Sequence, residues 1–293
     1  MMTKDRLIHG AIANEQFRLF AVESTELVQK TRDLHDLYPL PAIMMGRLMT
    51  AAALMSGELK SPGSEVSIRI DAEGELKGAL VIASQEGNLR GYAYAPDFWA
   101  EDPEDNFLVG KHLGKGLFTV IKQRNSQITY QGSVELISGE IGSDLAEYYN
   151  QSEQTPTAVN LGVLIDRDAK VRVAGGVLIQ QLPSADPEIA DRINSNMAST
   201  PNISDLMDMG LKMEEILEKF ILKGLDWKIY SESELNYRCT CSKERFANAL
   251  ALLGREELES MSEGIAPVCH YCNSTYEFSA ADIAEILARP GLS

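Results

Sequence analysis

The sequence predicts an α+β fold in three parts: a large N-terminal domain of antiparallel strands and helices (1–183), a helical linker (184–238) and a small C-terminal domain (239–293). Three observations carry this. Strand-like runs follow one another across short turns instead of alternating with helices. After Pro183 the strand pattern fades and helical spacing replaces it. All four cysteines of the 293-residue chain lie near its end, as Cys239-Thr240-Cys241 and Cys269-His270-Tyr271-Cys272.

The first strands are Leu7 to Ala13 and Phe17 to Val22, a hairpin turning at Asn14-Glu15. Ser24 is placed to cap a helix carrying Leu27, Thr31, Leu34 and Leu37. Pro41 opens a second helix through Met44, Leu48, Ala52 and Met55, close to fully apolar. Glu65 to Ile70, Leu76 to Ala83 and Leu89 to Ala95 form an antiparallel meander, joined by Asp71-Ala72-Glu73-Gly74 and Gln85-Glu86-Gly87-Asn88. A polar loop, Asp97 to Asn106, leads to strands at Leu117 to Lys122 and Ser133 to Ser138 and a helix from Ser143 to Gln151. A last hairpin joins Ala158 to Ile165 and Val171 to Gln181 through Asp166-Arg167-Asp168.

In the linker, Asp186-Pro187 starts a helix with Ile189, Ile193 and Met197 on one side, and Pro201 ends it. Ser204 begins another, and Met213, Ile216, Leu217 and Phe220 follow i, i+3, i+4, i+7 spacing. Met197, Met207, Met209 and Met213 crowd this stretch. Methionine is flexible and polarizable and suits surfaces that meet varied partners, although core packing is the plainer reading of the stripe.

In the C-terminal part Ser242 caps a helix with Phe246, Leu250 and Leu253, ended by Gly254. Glu256 to Met261 adds a turn or two, and Val268 to Phe278 forms a short hairpin around the second cysteine pair. Ser279 to Asp282 opens a final helix, which Pro290 stops. A unit this small, with few large apolar residues, needs a staple to fold.

Composition narrows the function. A net charge of −16 repels phosphate and argues against a nucleic-acid partner. No secretory leader is read at the start, and the most apolar stretch, Ala42 to Met55, is interrupted by Arg47 and too short to cross a bilayer. A cytosolic setting is expected, and there clustered cysteines serve metal or redox roles in preference to permanent disulfides. His9, His35 and His112 are isolated, and the carboxylates are scattered, so no enzyme site is read. Gly110 to Gly116 lacks the order of a phosphate loop.

Cys239, Cys241, Cys269 and Cys272 suit a tetrahedral Zn²⁺ site, each pair supplying two corners across a 27-residue loop, with His270 a lesser alternative donor. One zinc per chain would link metal to folding of residues 239–293. The thiolates are also the oxidisable form. A disulfide within C-x-x-C has ordinary geometry, whereas one within C-x-C is strained and therefore labile. On spacing alone a plain four-cysteine zinc module, docking protein or nucleic acid, stands level with a reversible sensor.

The cysteine motifs, with Ser242-Lys243-Glu244-Arg245-Phe246 between them, resemble the redox-regulated 33-kDa heat-shock chaperones. So do Met45-Gly46-Arg47 with Thr50-Ala51, Ser138 to Gly142, Ser152 to Pro156, Leu161-Gly162-Val163, Ala174-Gly175-Gly176 and Gln180 with Leu182-Pro183. The resemblance spans most of the chain; only residues between the paired cysteines vary, and no ligand position is missing. It implies an ATP-independent holdase, inactive when reduced and zinc-bound. Oxidation would form Cys239–Cys241 and Cys269–Cys272, release zinc, unfold the C-terminal domain and loosen the linker. Unfolded clients would then meet Met197, Met207, Met209, Met213, Ile216 and Phe220. It also implies a homodimer in the oxidised state. In the resting form, linker and large domain are expected to cover each other's apolar faces.

Overall fold

The computed structural model describes residues 4–102, 107–166 and 170–289. The end of the loop expected over Asp97 to Asn106, the turn residues Arg167-Asp168 and the helix stop at Pro290 lie outside them. The chain divides into two compact units, Met1–Tyr237 and Arg238–Ser293.

In the first unit β1 (Arg6–Ile12) and β2 (Phe17–Glu23) form the expected hairpin. Helix α1 (Thr25–His35) follows, but Ser24 does not cap it. The Ser24 hydroxyl pairs with Thr50 Oγ1 at 2.8 Å, and the Asp5 carboxylate accepts from the Glu26 and Leu27 amides instead. Helix α2 (Pro39–Ser56) is buried from Leu40 onward except at Arg47. A helix apolar on every side belongs in an interior.

Around α2 stand β3 (Ser64–Ala72), β4 (Gly78–Ser84), β5 (Asn88–Ala93), the short α3 (Val109–Leu113), β6 (Gly116–Arg124), β7 (Gln127–Glu135), α4 (Gly142–Gln151), β8 (Thr157–Ile165) and β9 (Val171–Gln181). The Gly110–Gly116 stretch is thus a helical turn feeding a strand, with no phosphate loop. β7 begins and ends earlier than the apolar pattern indicates, because its outward residues are polar apart from Ile128 and only Val134 is buried.

Residues after Pro183 are helical as expected, in α5 (Pro187–Ser199), α6 (Ile203–Asp208) and α7 (Met213–Ile216), which runs into a π-helical turn, Leu217–Ile221. They then enter two strands that the pattern does not signal, β10 (Trp227–Glu234) and β11 (Asn236–Tyr237). The sheets are ordered β10-β1-β2-β9-β8 and β11-β5-β4-β3-β6-β7, antiparallel but for the parallel β11–β5 pair.

Alternation along the first sheet divides its side chains between two apolar clusters. Phe20, Val22 and Leu178 join α2 and the second sheet. Ile8, Ile12, Leu19, Val177 and Ile179 face the other way, onto Ile193, Ile203, Leu206, Met213, Ile216 and Leu217 of the helical segment. The expected mutual cover is therefore present, but its central residues are fully buried instead of half-exposed. The carboxylates are not all surface groups either. Asp144 is buried and accepts from the amides of Ile137, Ser138, Gly139 and Ile141, while Glu58 is enclosed by Lys122, Tyr149 and Gln180.

The second unit holds α8 (Lys243–Leu250), α9 (Arg255–Ser260), β12 (Gly264–Ile265), β13 (Phe278–Ser279) and α10 (Ala280–Leu287). Its buried cluster is Ala247, Leu250, Leu258, Phe278, Ile283 and Ile286. That is a small core for an independent unit.

Candidate metal centre

Two local devices bring the cysteine pairs to one point. Cys239 and Cys241 lie in the extended entry to α8, whose N-terminus is capped by Ser242, its hydroxyl accepting from the Arg245 amide at 3.2 Å. The Arg245 guanidinium donates to Thr240 Oγ1 at 2.6 Å, fixing the residue between the two thiols. Cys269 and Cys272 sit on a tight turn. The amides of Cys272 and Asn273 donate to the Cys269 carbonyl at 3.3 and 2.8 Å, and Asn273 takes the left-handed conformation, φ 53°. Asparagine tolerates that region better than most residues. The Cys269 amide donates to the Ser274 carbonyl at 2.9 Å, and Val268 bridges to Thr275, closing the expected hairpin.

All four cysteines are free thiols, and their Sγ atoms lie within 4.8 Å of one another. Cys239 to Cys269 is 3.7 Å and Cys241 to Cys272 is 3.3 Å. Four thiolates at ~2.3 Å from a tetrahedral ion stand ~3.8 Å apart, so the cluster fits a metal ion of that kind. His270 is not part of this donor group.

Each sulfur has a distinct environment. Burial pushes the Cys239 and Cys269 thiols up, with the neighbouring thiols adding to it. At Cys272 burial acts the same way, but the Ser274 hydroxyl and amide, with the neighbouring thiols, outweigh it and hold this group at about 7. Tyr276 is a partner the sequence reading missed. Its hydroxyl lies 3.0 Å from Cys241 Sγ, its ring stacks on Phe246 at 4.9 Å, and the bond to Cys241 raises its phenol to about 12. Its sequence signal is slight: an aromatic four residues after the C-x-x-C pair.

The six apolar residues expected to meet clients all lie in the first unit. Met213 and Ile216 are fully buried against the first sheet, and Met197, Met207 and Phe220 are half-buried on the same cluster. Met209 alone is open, at 75% exposure. Of the histidines without a role, His9 stacks on Phe20 and His112 is buried beside Glu75.

The profile of the Hsp33 protein family matches residues 5–279. The chain belongs to the Hsp33 family. Curated relatives named 33 kDa chaperonin include one from Desulforamulus reducens, 36% identical across 98% of both chains, and one from Clostridium tetani, 40% identical across 97% of this chain and 98% of that one. The crystal structure of the 33 kDa chaperonin (heat shock protein 33 homolog) of Thermotoga maritima is similar over 97% of this chain and 98% of its own, with a TM-score of 0.87 at 28% identity. The α+β fold with a C-terminal cysteine cluster is thus that of the Hsp33 family. Among the described residues, no helix is long and apolar enough to cross a membrane.

Proposed function

We propose that this Hsp33-family chain is a cytoplasmic, redox-regulated, ATP-independent holdase that binds unfolding proteins and prevents their aggregation under oxidative stress. The carrying observation is the set of four free thiols within 4.8 Å, in a unit whose fully buried apolar cluster, among the described residues, is six side chains. A structural Zn²⁺ held by Cys239, Cys241, Cys269 and Cys272, one per chain, would supply the cross-link that this core lacks. Peroxide converts each C-x-C or C-x-x-C dithiol to a disulfide and two waters. Pairing Cys239 with Cys241 and Cys269 with Cys272 leaves no thiolate for a metal, and the unit loses its staple.

The output follows from the other unit. Residues 187–222 cover the outward face of the first sheet with Ile193, Met213, Ile216 and Leu217. Loosening this segment uncovers both sides of that contact as apolar surface for clients, with Met197, Met207, Met209 and Phe220 at its margin. A homodimer in the oxidised state belongs to the same reading.

The test is to follow zinc and disulfides together. Protein purified under reducing conditions should carry one zinc per chain. Peroxide with mild heat should release it to a chromophoric chelator while peptide mapping finds the two intra-pair disulfides. Metal-free reduced protein, or a Cys239–Cys269 disulfide, would reject this reading.

A further inference from the structure

We infer that β1 is a capture strand. Once the segment ending in β10 leaves, the vacated edge of the first sheet takes up an extended stretch of an unfolded client by strand addition. The inference rests on the reading above that oxidation frees residues 187–222, extends that release through β10, and names the surface and the form in which the client is held.

β10 is the outermost strand of its sheet, paired with β1 from Arg6↔Glu234 to Ile12↔Trp227. From Lys228 to Glu234 its side chains are all exposed, so side-chain burial contributes little to holding it. What holds it is main-chain pairing, with ion pairs from Lys4 to Glu234, Arg6 to Glu232 and Lys228 to Glu15. Partly or fully exposed pairs of this kind are weak and screened by salt. Main-chain pairing reads no sequence, so a strand held this way is exchangeable for another extended chain.

The uncovered edge would be unprotected. Sheets blunt exposed edges with lysine, proline or inward charges. Apart from Arg6 at its start, β1 has none of these through Leu7-Ile8-His9-Gly10-Ala11-Ile12, as suits a strand covered at rest. At the bulge between His9 and Gly10 a neighbouring backbone comes very near: a Cβ on Gly10 would collide with the Lys228 carbonyl oxygen. Beside β1 lies a cleft of about 710 Å³ whose floor is the His9 ring stacked on Phe20 at 5.0 Å, with Tyr230 of β10 edge-on to His9 at 5.8 Å. When β10 leaves, Tyr230 leaves too, and that aromatic floor is open to one apolar side chain of the incoming strand. The present occupant identifies the kind of partner. It is an extended chain with outward-facing side chains, and an unfolded protein is the partner that offers free backbone donors and acceptors of that form.

Hydrogen exchange on the full chain, read at residues 6–12, tests this. The probe client is reduced, carboxymethylated α-lactalbumin, which stays unfolded. The β1 amides that face β10 should exchange slowly in reduced protein, about tenfold or more faster after oxidation, and about tenfold slower again when the client is added. A peptide copying Trp227–Glu234 should displace the client, and the same peptide carrying S231P and S233P, at amides that face β1, should not. Three results overturn the proposal while leaving the chaperone reading intact: an oxidised, aggregation-suppressing form whose β1 stays protected, bound client without re-protection, or displacement by both peptides alike. Re-protection that needs only higher protein concentration would assign the edge to a second copy, and this too overturns it. Oxidised protein that suppresses no aggregation would remove the chaperone reading and the capture strand with it.

Discussion

Arg6 on the first strand and Glu214 at the start of α7 form an ion pair at 2.8 Å, across more than two hundred residues of sequence. The same guanidinium reaches Glu23 at 2.9 Å and Glu232 at 2.9 Å, and the Glu23 carboxylate also accepts from the Met213 amide at 3.3 Å. One side chain thus ties β1 to β2, to the helical segment and to β10. Replacing Arg6 with alanine leaves the buried Glu23 carboxylate short of its cation, a loss of ~2–4 kcal/mol. In reduced protein, R6A should lower the urea midpoint and speed proteolysis within residues 187–234, while the reduced zinc content is unchanged. Proteolysis at the wild-type rate would show that Arg6 does not restrain the segment.

Asp5 makes stability depend on pH. Burial raises its carboxyl from the usual 3.8 to about 6, even though the Leu27 and Glu26 amides donate to it. A carboxyl raised on folding favours the native state while protonated. Its contribution is full below pH ~4 and is lost as pH rises through about 6, a swing on the order of 3 kcal/mol. D5N keeps a side-chain oxygen for the helix α1 amides and removes the ionisation. The variant should match or exceed the wild type at pH 7.5 and show a flatter stability profile between pH 4 and 6. An unchanged pH profile would contradict the assignment.

Tyr276 should tune the thiols without holding the fold. Y276F keeps the ring on Phe246 and removes the hydroxyl beside Cys241. Loss of such an outer hydrogen bond typically weakens metal affinity about 10-fold or more. Chelator competition on reduced protein should show that drop, with the zinc-loaded unit destabilised only by the matching ~1.4 kcal/mol.

Tyr237 anchors the chain two residues before the first cysteine. It is buried, and its hydroxyl donates to the Gly91 carbonyl at 3.2 Å. Truncation to alanine should cost ~3–5 kcal/mol at this point and raise aggregation suppression by the reduced form. Suppression no higher than wild type would show that release of this anchor is not part of activation.

The legibility of the sequence follows burial. The β1–β2 hairpin, the meander and α10 carry apolar patterns that burial enforces, α2 is apolar all round, and each lies close to where its pattern put it. The cysteine quartet was legible because ligand spacing is local chemistry. β10 was not, because Trp-Lys-Ile-Tyr-Ser-Glu-Ser-Glu has no buried face; as an edge strand it is held by its backbone, to which hydropathy is blind. The cap of α1 was misplaced because a distant residue, Asp5, supplies it, and a local motif search stops at Ser24. The Arg6 cluster and the Tyr276–Cys241 contact are likewise products of the tertiary fold.

The central claim is that cysteine oxidation turns a resting protein into a binder of unfolding clients. Light scattering of a heat-unfolding client, with reduced and peroxide-treated protein at equal concentration and no ATP, tests it most directly. The account predicts suppression by the oxidised form, little by the reduced form, and reversal by dithiothreitol with zinc. Equal suppression by both forms would contradict it.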